Sequence, residues 1–505
     1  MIAKKIARAL AARSVWVLLA AMLAAGCVLD PPAATSLRIA YPYEMVTVDP
    51  HAHVDMVTEA VLAAVYEGLV HFEPGLQVQP WLADSWTTPD DTTWVLHIRE
   101  GVRFHDGTML EPADVVASIS RARASKVMGH QLGDIDKLQV IDEVARTVEI
   151  TTARPAPLLL TRLQAVAVAP RGFDPANPVG TGPYQWQTGS IQGPVHLRRW
   201  DDYWRGAPDF EEVTIRFVTI LEELADLLHE NELDVVASVT VSYYRDHQPQ
   251  DEWRLVASPA VITTYLGLNV TQEPLDDLRV RKAIDLAIDR RQLVAEIFPE
   301  GTARAARSLV PPEIFGYSPS HRLHDADPVR AREILADVGL PAATTLQLNH
   351  IERYADVAES ISASLIAVGL ETETRAVSID EFYRGLDERT NQLFLFSWTF
   401  GVADASPFLD TIVHSHDSVR GLGSFNGAAL SESDLDALID EAAHEPRSAI
   451  RLERLQQTLA MLEAIAVYLP LYQPSTLALV HDNFVLEAFA GSVIRPQDVR
   501  RVYGR

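Results

Sequence analysis

The alternation of apolar and polar residues predicts strands and helices that follow one another along the chain. Residues 94–98 carry apolar side chains at every second position, which is typical of a half-buried strand. Pro112 then stands where a helix would begin, and apolar residues from Val115 to Ile119 keep helical spacing. This stretch therefore predicts a strand, a turn that contains His105 and Asp106, and a helix.

The same reading of residues 344–377 predicts a β-α-β unit, because a helix from Asp356 to Val368 separates two strands. Such units build parallel sheets with right-handed crossovers. Further helices are predicted at Thr58–Gly68, after Asp276 or Asp277, from Asp327 to Gly339, from Ser431, and along the apolar face of Leu452, Leu455, Leu459 and Leu462. Because strands and helices alternate in two separate blocks, we expect two α/β lobes with a crevice between them.

Several short motifs accompany these elements. They are YEGL at 66–69, PWLADSW at 80–86, GVRFHDG at 101–107, GTGPY at 180–184, WDDYW at 200–204, YLGLN at 265–269, LRVRKAIDLAIDRRQLV at 278–294 and YLPLY at 468–472. Together they resemble the signature of the solute-binding proteins of ABC importers that take up oligopeptides, dipeptides, nickel complexes and some oligosaccharides. The resemblance covers essentially the whole chain after its amino-terminal segment.

The resemblance implies an α/β fold of the periplasmic-binding-protein type II class in its three-domain variant. Two lobes would be joined by a two-strand hinge, and the first would carry an inserted domain. The expected division is a signal peptide at 1–26, a tether at 27–36, lobe I at 37–66 with 181–258 and 483–505, an inserted domain at 67–180 and lobe II at 259–482. The chain would cross between the lobes near Ser258–Tyr265 and near Val480–Val485.

The amino terminus has the layout of a bacterial lipoprotein signal. Four basic residues precede an apolar run from Val15 to Ala25 that is too short to span a membrane. The run ends at Cys27, the only cysteine of the chain, in a sequence that resembles a lipobox. We therefore expect Cys27 to be lipidated, and the protein to lie outside the cytoplasm, in the periplasm or at the cell surface, attached to a bacterial membrane by this anchor alone. A single cysteine also predicts no disulfide within the chain.

Composition narrows the range of partners. The chain has 505 residues, of which 48% are hydrophobic, and a formal net charge of -26. Removing the four basic residues of the signal leaves about -30, a sign that excludes nucleic acid as a natural partner. No later run reaches the roughly 18 apolar residues of a transmembrane helix. We expect a monomer without a cofactor that binds a small solute and docks on a membrane permease, and the family resemblance implies that this solute is a peptide.

The family resemblance places the ligand loop at Trp398, Thr399, Phe400, Gly401 and Asp404. Peptide binders of this family have an acidic residue three positions after the tryptophan, which pairs with the α-amine of the ligand, because an unpaired buried charge is costly. Here Gly401 stands at that position. Either Asp404 replaces the acid, or Gly401 makes room for a bulkier or uncharged solute.

Further ligand contacts are expected from lobe I. Asp55, Met56 and Thr58 match the segment that lines the cleft in relatives, and Tyr243 follows a strand at 233–239 from which it would reach the rim.

Three other interpretations compete with that of an importer subunit for peptides. An enzyme is disfavoured, because the chain contains no nucleophile elbow, phosphate loop or paired-cysteine site. A metal or metal complex could be held by the pairs at 51–53 and 414–416, although no metal site is predicted, and an oligosaccharide remains an alternative solute. A sensor that uses the same fold without a transporter is equally compatible with the sequence.

Overall fold

The structure is a computed structural model that describes residues 36–53, 55–73, 77–246, 252–259, 261–320, 325–341, 344–486 and 494–502. The predicted signal peptide and Cys27 lie outside these residues. No helix in the described part of the chain is long and apolar enough to cross a membrane.

The helices of the described residues are numbered in chain order. They are α1 (Met56–Leu62), α2 (Pro112–Ala124), α3 (Leu159–Arg162), α4 (Leu221–His229), α5 (Val241–Asp246), α6 (Leu278–Ala287), α7 (Arg290–Ile297), α8 (Pro328–Val338), α9 (Ala355–Ala367), α10 (Ile379–Asp387), α11 (Ser406–Phe408), α12 (Ser433–His444) and α13 (Ser448–Ile465). Short 3-10 turns lie at Gly129–Leu132, Leu163–Ala165, Glu352–Tyr354 and Pro496–Asp498, and a π-helical turn at Leu409–Val413.

The strands fall into one large sheet and three small ones. The large sheet contains β1 (Ser36–Tyr41), β8 (Tyr184–Thr188), β9 (Val195–Arg199), β10 (Glu212–Phe217), β11 (Val235–Val236), β12 (Trp253–Pro259), β13 (Ile262–Leu268), β14 (Ala303–Ala305), β15 (Thr345–His350), β16 (Glu371–Ala376), β17 (Leu393–Thr399) and β18 (Tyr468–His481). The small sheets pair β2 (Val70–Glu73) with β3 (Gln77–Pro80), join β4 (Ala83–Asp90), β5 (Thr93–Ile98), β7 (Thr147–Thr152) and β6 (Ile135–Asp142), and pair β19 (Phe484–Leu486) with β20 (Val499–Arg501).

Strand β18 connects the two halves of the large sheet. Its first part pairs with β13 and β14 of lobe II, and its last part, Ser475–His481, pairs with β12 and β11 of lobe I. The partner changes between Pro474 and Ser475. The other crossing lies between β12 and β13, within the predicted stretch. Two lobes joined by two strands therefore form the frame of the molecule, as expected for the α/β class.

The second crossing corrects one predicted position. We expected it near Val480–Val485, with lobe II ending at 482, but Val480 already pairs with Arg254 of lobe I. The predicted position was too late in the sequence because the whole apolar run 477–480 is buried in lobe I, whereas the crossing lies at Pro474 and the polar residues around it. The remaining domain boundaries stay predictions.

Several local predictions hold and three need correction. The β-α-β unit of β15, α9 and β16 is parallel, and Asp277 and Asp327 cap α6 and α8. Helix α1 is shorter than predicted and ends at Leu62. Helix α12 begins after Glu432, with no side-chain cap, so Ser431 is not its cap. The buried face of α13 contains Arg451 in place of Leu452, which is only half-buried.

The inserted domain leaves and re-enters lobe I at adjacent points. The Val168 N–H donates to the Glu67 carbonyl at 2.8 Å, and the Gly182 N–H donates to the Val65 carbonyl at 2.9 Å. A Cβ on Gly180 would lie 2.0 Å from the Val65 carbonyl oxygen, so only glycine permits this close approach. The motif GTGPY thus closes the base of the insert.

Glu67 lies at this base and is contacted by four side chains from three other motifs. Its exposed fraction is 7%, and its carboxylate accepts hydrogen bonds from Trp81 Nε1 (2.7 Å), Thr181 Oγ1 (2.7 Å), the Tyr203 hydroxyl (2.7 Å) and Trp204 Nε1 (3.0 Å). Burial raises the pKa of Glu67, and these four hydrogen bonds oppose that shift. Since an indole N–H can only donate, each carboxylate oxygen must accept at least one hydrogen bond here.

Replacing Glu67 tests this centre. In Glu67→Gln the new amide N–H₂ would face a donor, and at least one indole N–H would lose its acceptor. We expect the free energy of unfolding to fall by about 2 kcal/mol or more, measured by urea denaturation. Glu73→Gln, at an exposed site on β2, is the matched control and should change it by less than about 0.5 kcal/mol. Equal stability of the two variants would contradict the proposed role of Glu67.

Candidate functional site

The carboxyl ends of the parallel strands in the two lobes define the candidate site. In lobe I, β1 is parallel to β10 and β11, and in lobe II, β15 is parallel to β16 and β17. Ligands of α/β sheets bind outside the carboxyl ends of their strands. The loops that follow β1, β11, β15 and β17 are therefore the ones that would line a cleft between the lobes.

One ion pair reaches across this cleft. Arg245 lies on α5, which follows β11 in lobe I, and Asp356 lies in the first turn of α9, which follows β15 in lobe II. Their atoms Nη1 and Oδ2 are 3.7 Å apart, and both side chains are about half exposed. Such an exposed pair contributes little to stability, but it shows that the two carboxyl edges face each other.

Trp398, Thr399 and Gly401 lie at the lobe II edge of this cleft. Trp398 is the penultimate residue of β17, opposite Thr263, and is half-buried, with its ring 6.0 Å from that of Phe408. Gly401 is exposed, and no atom lies within 4 Å of the position that a Cβ would take. A half-buried aromatic side chain followed by an uncrowded glycine is suited to a loop that contacts a bulky group of a solute.

Phe400 does not belong to this surface. Its exposed fraction is 2%, its ring packs 5.9 Å from that of Phe408 in the lobe II core, and its N–H donates to the Val261 carbonyl at 2.8 Å. The prediction of a ligand contact at Phe400 is wrong for this structure, because β17 ends at Thr399 and the chain turns the next side chain inward.

Asp404 is also buried, and its carboxylate pairs with an arginine. It is 5% exposed and forms a bidentate ion pair with Arg451 on α13, in which Nη2 lies 2.7 Å from Oδ1 and Nη1 contacts Oδ2. The Ser406 N–H donates to the same carboxylate at 2.9 Å, and Arg451 also donates to the Ser406 hydroxyl at 2.6 Å. Asp404 therefore neutralises a buried guanidinium, and the expectation that it replaces the missing amine-binding acid is not supported.

The four ligand contacts predicted in lobe I also divide into buried residues and exposed ones. Thr58 is fully buried, and its side chain accepts a hydrogen bond from the Val46 N–H at 3.0 Å. Tyr243 is 2% exposed and packs in a hydrophobic core of lobe I. The predictions of ligand contacts at Thr58 and Tyr243 are therefore wrong for this structure, and both residues support the fold instead. Met56 is 46% exposed. Asp55 caps α1 by accepting from the Thr58 N–H at 2.8 Å, while its Oδ2 atom accepts no hydrogen bond and is buried 3.8 Å from His53 Nδ1. Asp55 and Met56 are thus the two lobe I predictions that keep solvent exposure, which in Asp55 lies away from the buried Oδ2 atom.

The histidine pairs do not converge on a metal site. His51 contacts the Ala167 carbonyl through Nε2 at 2.8 Å, and His414 contacts the Ser415 carbonyl through Nδ1 at 2.7 Å. Within the described residues, no group of three or more His, Cys, Asp or Glu side chains is arranged to hold a metal ion.

Sequence reasoning missed Arg451, Arg245 and Asp356. Arg451 carried a signal, because it stands four residues before Leu455 on a helix face that is mostly apolar, and a buried arginine needs an acidic partner. Arg245 and Asp356 carried none, since exposed charges after strands are common on any surface.

Asp404→Asn tests the structural role of the buried ion pair. The amide cannot neutralise Arg451, so we expect the free energy of unfolding to fall by about 3–5 kcal/mol, measured by chemical denaturation. Asp434→Asn, at an exposed position on α12, should leave stability nearly unchanged. If Asp404→Asn were as stable as the parent protein, Asp404 would be free to contact a solute after all.

Comparison with known proteins agrees with this architecture. Residues 77–419 match the family of bacterial extracellular solute-binding proteins, family 5. The glutathione-binding protein GsiB of Escherichia coli (strain K12) is 29% identical over 456 residues, which cover 86% of this chain and 88% of that protein.

Solved structures show the same fold. The ABC transporter substrate-binding protein CtaP of Listeria monocytogenes superposes with a TM-score of 0.84 at 19% identity, covering 93% of this chain and 99% of that one. DppA of Helicobacter pylori, in complex with the peptide STSA, has a TM-score of 0.75 at 21% identity, covering 92% and 98%. The structural similarities confirm the predicted type II periplasmic-binding-protein fold. The family match also confirms the prediction that this chain is a solute-binding protein and not an enzyme. The chain belongs to family 5 of the bacterial extracellular solute-binding proteins, which serve ABC importers.

Proposed function

We propose that this protein is a substrate-binding lipoprotein that captures a peptide-like solute between its lobes and delivers it to a membrane permease. The observation that carries the proposal is the half-buried Trp398 at the carboxyl end of β17, three residues before the exposed and uncrowded Gly401. Relatives named for glutathione and for a bound peptide support this solute class.

The ion pair of Asp404 limits how the expected solute can be bound. The loop after β17 offers no carboxylate for an α-amine at Gly401 or at Asp404. We infer that lobe II contacts the body of the solute through Trp398 and leaves a positive group, where one exists, to lobe I. Asp55 is the acidic residue predicted in the lobe I cleft segment, and its side chain is about one-third exposed, with its Oδ2 atom buried 3.8 Å from His53 Nδ1.

Native mass spectrometry of the purified protein would identify a retained solute by its mass. Calorimetry with that solute, or with glutathione as the probe, would then measure the effect of Trp398→Ala. We expect binding at least tenfold weaker, because the ring supplies the apolar contact. Trp186→Ala, a half-buried tryptophan in lobe I, is the matched control and should bind normally. Unchanged affinity in Trp398→Ala would argue against this cleft surface.

The lipid anchor needs its own test. We infer that Cys27 is lipidated, because it is the only cysteine and follows a signal-like segment. In a bacterial host that processes lipoproteins, Cys27→Ser should move the protein from the membrane fraction to the soluble extracytoplasmic fraction. Ser36→Ala, ten residues beyond the signal, should remain with the membrane. Membrane association that survives Cys27→Ser would rule out the anchor.

A further inference from the structure

The β2–β3 hairpin joins the inserted domain to lobe II through an aromatic side chain. Phe72 on β2 is 6% exposed and packs into the lobe II core cluster, whose other buried members among the described residues all lie between Val261 and Tyr468. Val78, opposite Phe72 in the hairpin, packs against both this cluster and the core of the inserted domain. An insert side chain is thus buried in the core of the other lobe.

Two further contacts lie on the same face. His444 Nδ1 on α12 lies 3.1 Å from the Pro155 carbonyl oxygen of the inserted domain, which accepts when Nδ1 carries the proton. A cavity of about 240 Å³ lies between Val78, Pro157 and Leu158 of the insert and Phe315 and Ser448 of lobe II. The face therefore combines one buried aromatic contact with a polar contact and imperfect packing.

Covalent connectivity determines how this face can move. The insert is tied to lobe I at both of its ends, through the hydrogen bonds at Glu67 and Val65. Lobe II is linked to this unit by two strand crossings. A rotation about those crossings must displace lobe II relative to the insert, so the Phe72 contact would form when the lobes close and be lost when they open.

We propose that Phe72 is a positioning residue for capture, which favours the closed form without contacting the solute. This inference rests on the proposed capture between the lobes. A binding site that is complete only in the closed form has an apparent affinity reduced by the fraction of empty protein that is closed. Phe72 would raise that fraction, and with it the affinity for any solute of the cleft.

Distances in the ligand-free protein test this directly. Spin labels on Val144→Cys and Val419→Cys, in a Cys27→Ser background, would report the separation of the insert and lobe II, since both sites are 95% exposed. We expect Phe72→Ala to shift the distribution to longer distances, and Phe72→Leu, which keeps most of the apolar volume, to shift it little. Glutathione, or the solute found by mass spectrometry, should bind at least tenfold more weakly to Phe72→Ala.

The outcomes distinguish this inference from the proposed function. A folded Phe72→Ala protein with the parental distance distribution would show that the contact is static packing, and would overturn the inference even if peptides bind. A shifted distribution without peptide binding would support closure and count against the solute class. Where circular dichroism shows that Phe72→Ala does not fold, Val78→Ala and His444→Ala carry the same test, and parental distances in both would overturn it.

Discussion

A single buried carboxylate organises the junction between lobe I and the inserted domain. A buried carboxyl group such as that of Glu67 is stable only when its oxygens are hydrogen-bonded, and the four partners come from segments up to 137 residues away. Arg205 lies over the Trp81 ring at 4.1 Å, and Arg99 donates to the Trp81 carbonyl at 2.6 Å, so cationic groups surround the site. Several motifs that are remote in sequence thus lie together because each supplies a group that stabilises this buried carboxylate.

The hydrogen bonds to Glu67 make lobe I and the insert one mechanical unit. Because the base of the insert is fixed by Glu67 and by the close backbone approach at Gly180, the freedom of the molecule is concentrated where β12 meets β13 and where β18 changes partners. The carboxyl edges that face each other at Arg245 and Asp356 lie on opposite sides of these crossings. A solute-binding protein that closes around its ligand needs rigid lobes and a small number of movable connections between them.

Local signals in the sequence predicted the elements well, and tertiary partners decided the rest. Asp327 and Gly339 bound α8 as expected, because caps act within a few residues. The roles of Asp404 and Thr58 could not be found in this way. Asp404 pairs with an arginine 47 residues later, and Thr58 is buried by the loop before it. Likewise, Arg451 takes the inner position predicted for Leu452 on α13, while the other three predicted leucines are buried.

The composition of β18 gives the connection between the lobes a definite stiffness. Pro474 stands immediately before the point where the strand changes partners, and its ring fixes one backbone torsion there. The residues on either side are held in register by their own neighbours. Few soft torsions remain in this segment, so relative motion of the lobes should approach a single collective coordinate, with bending favoured over twist. A long and flexible linker would instead let the lobes sample many orientations, most of them useless to a transporter.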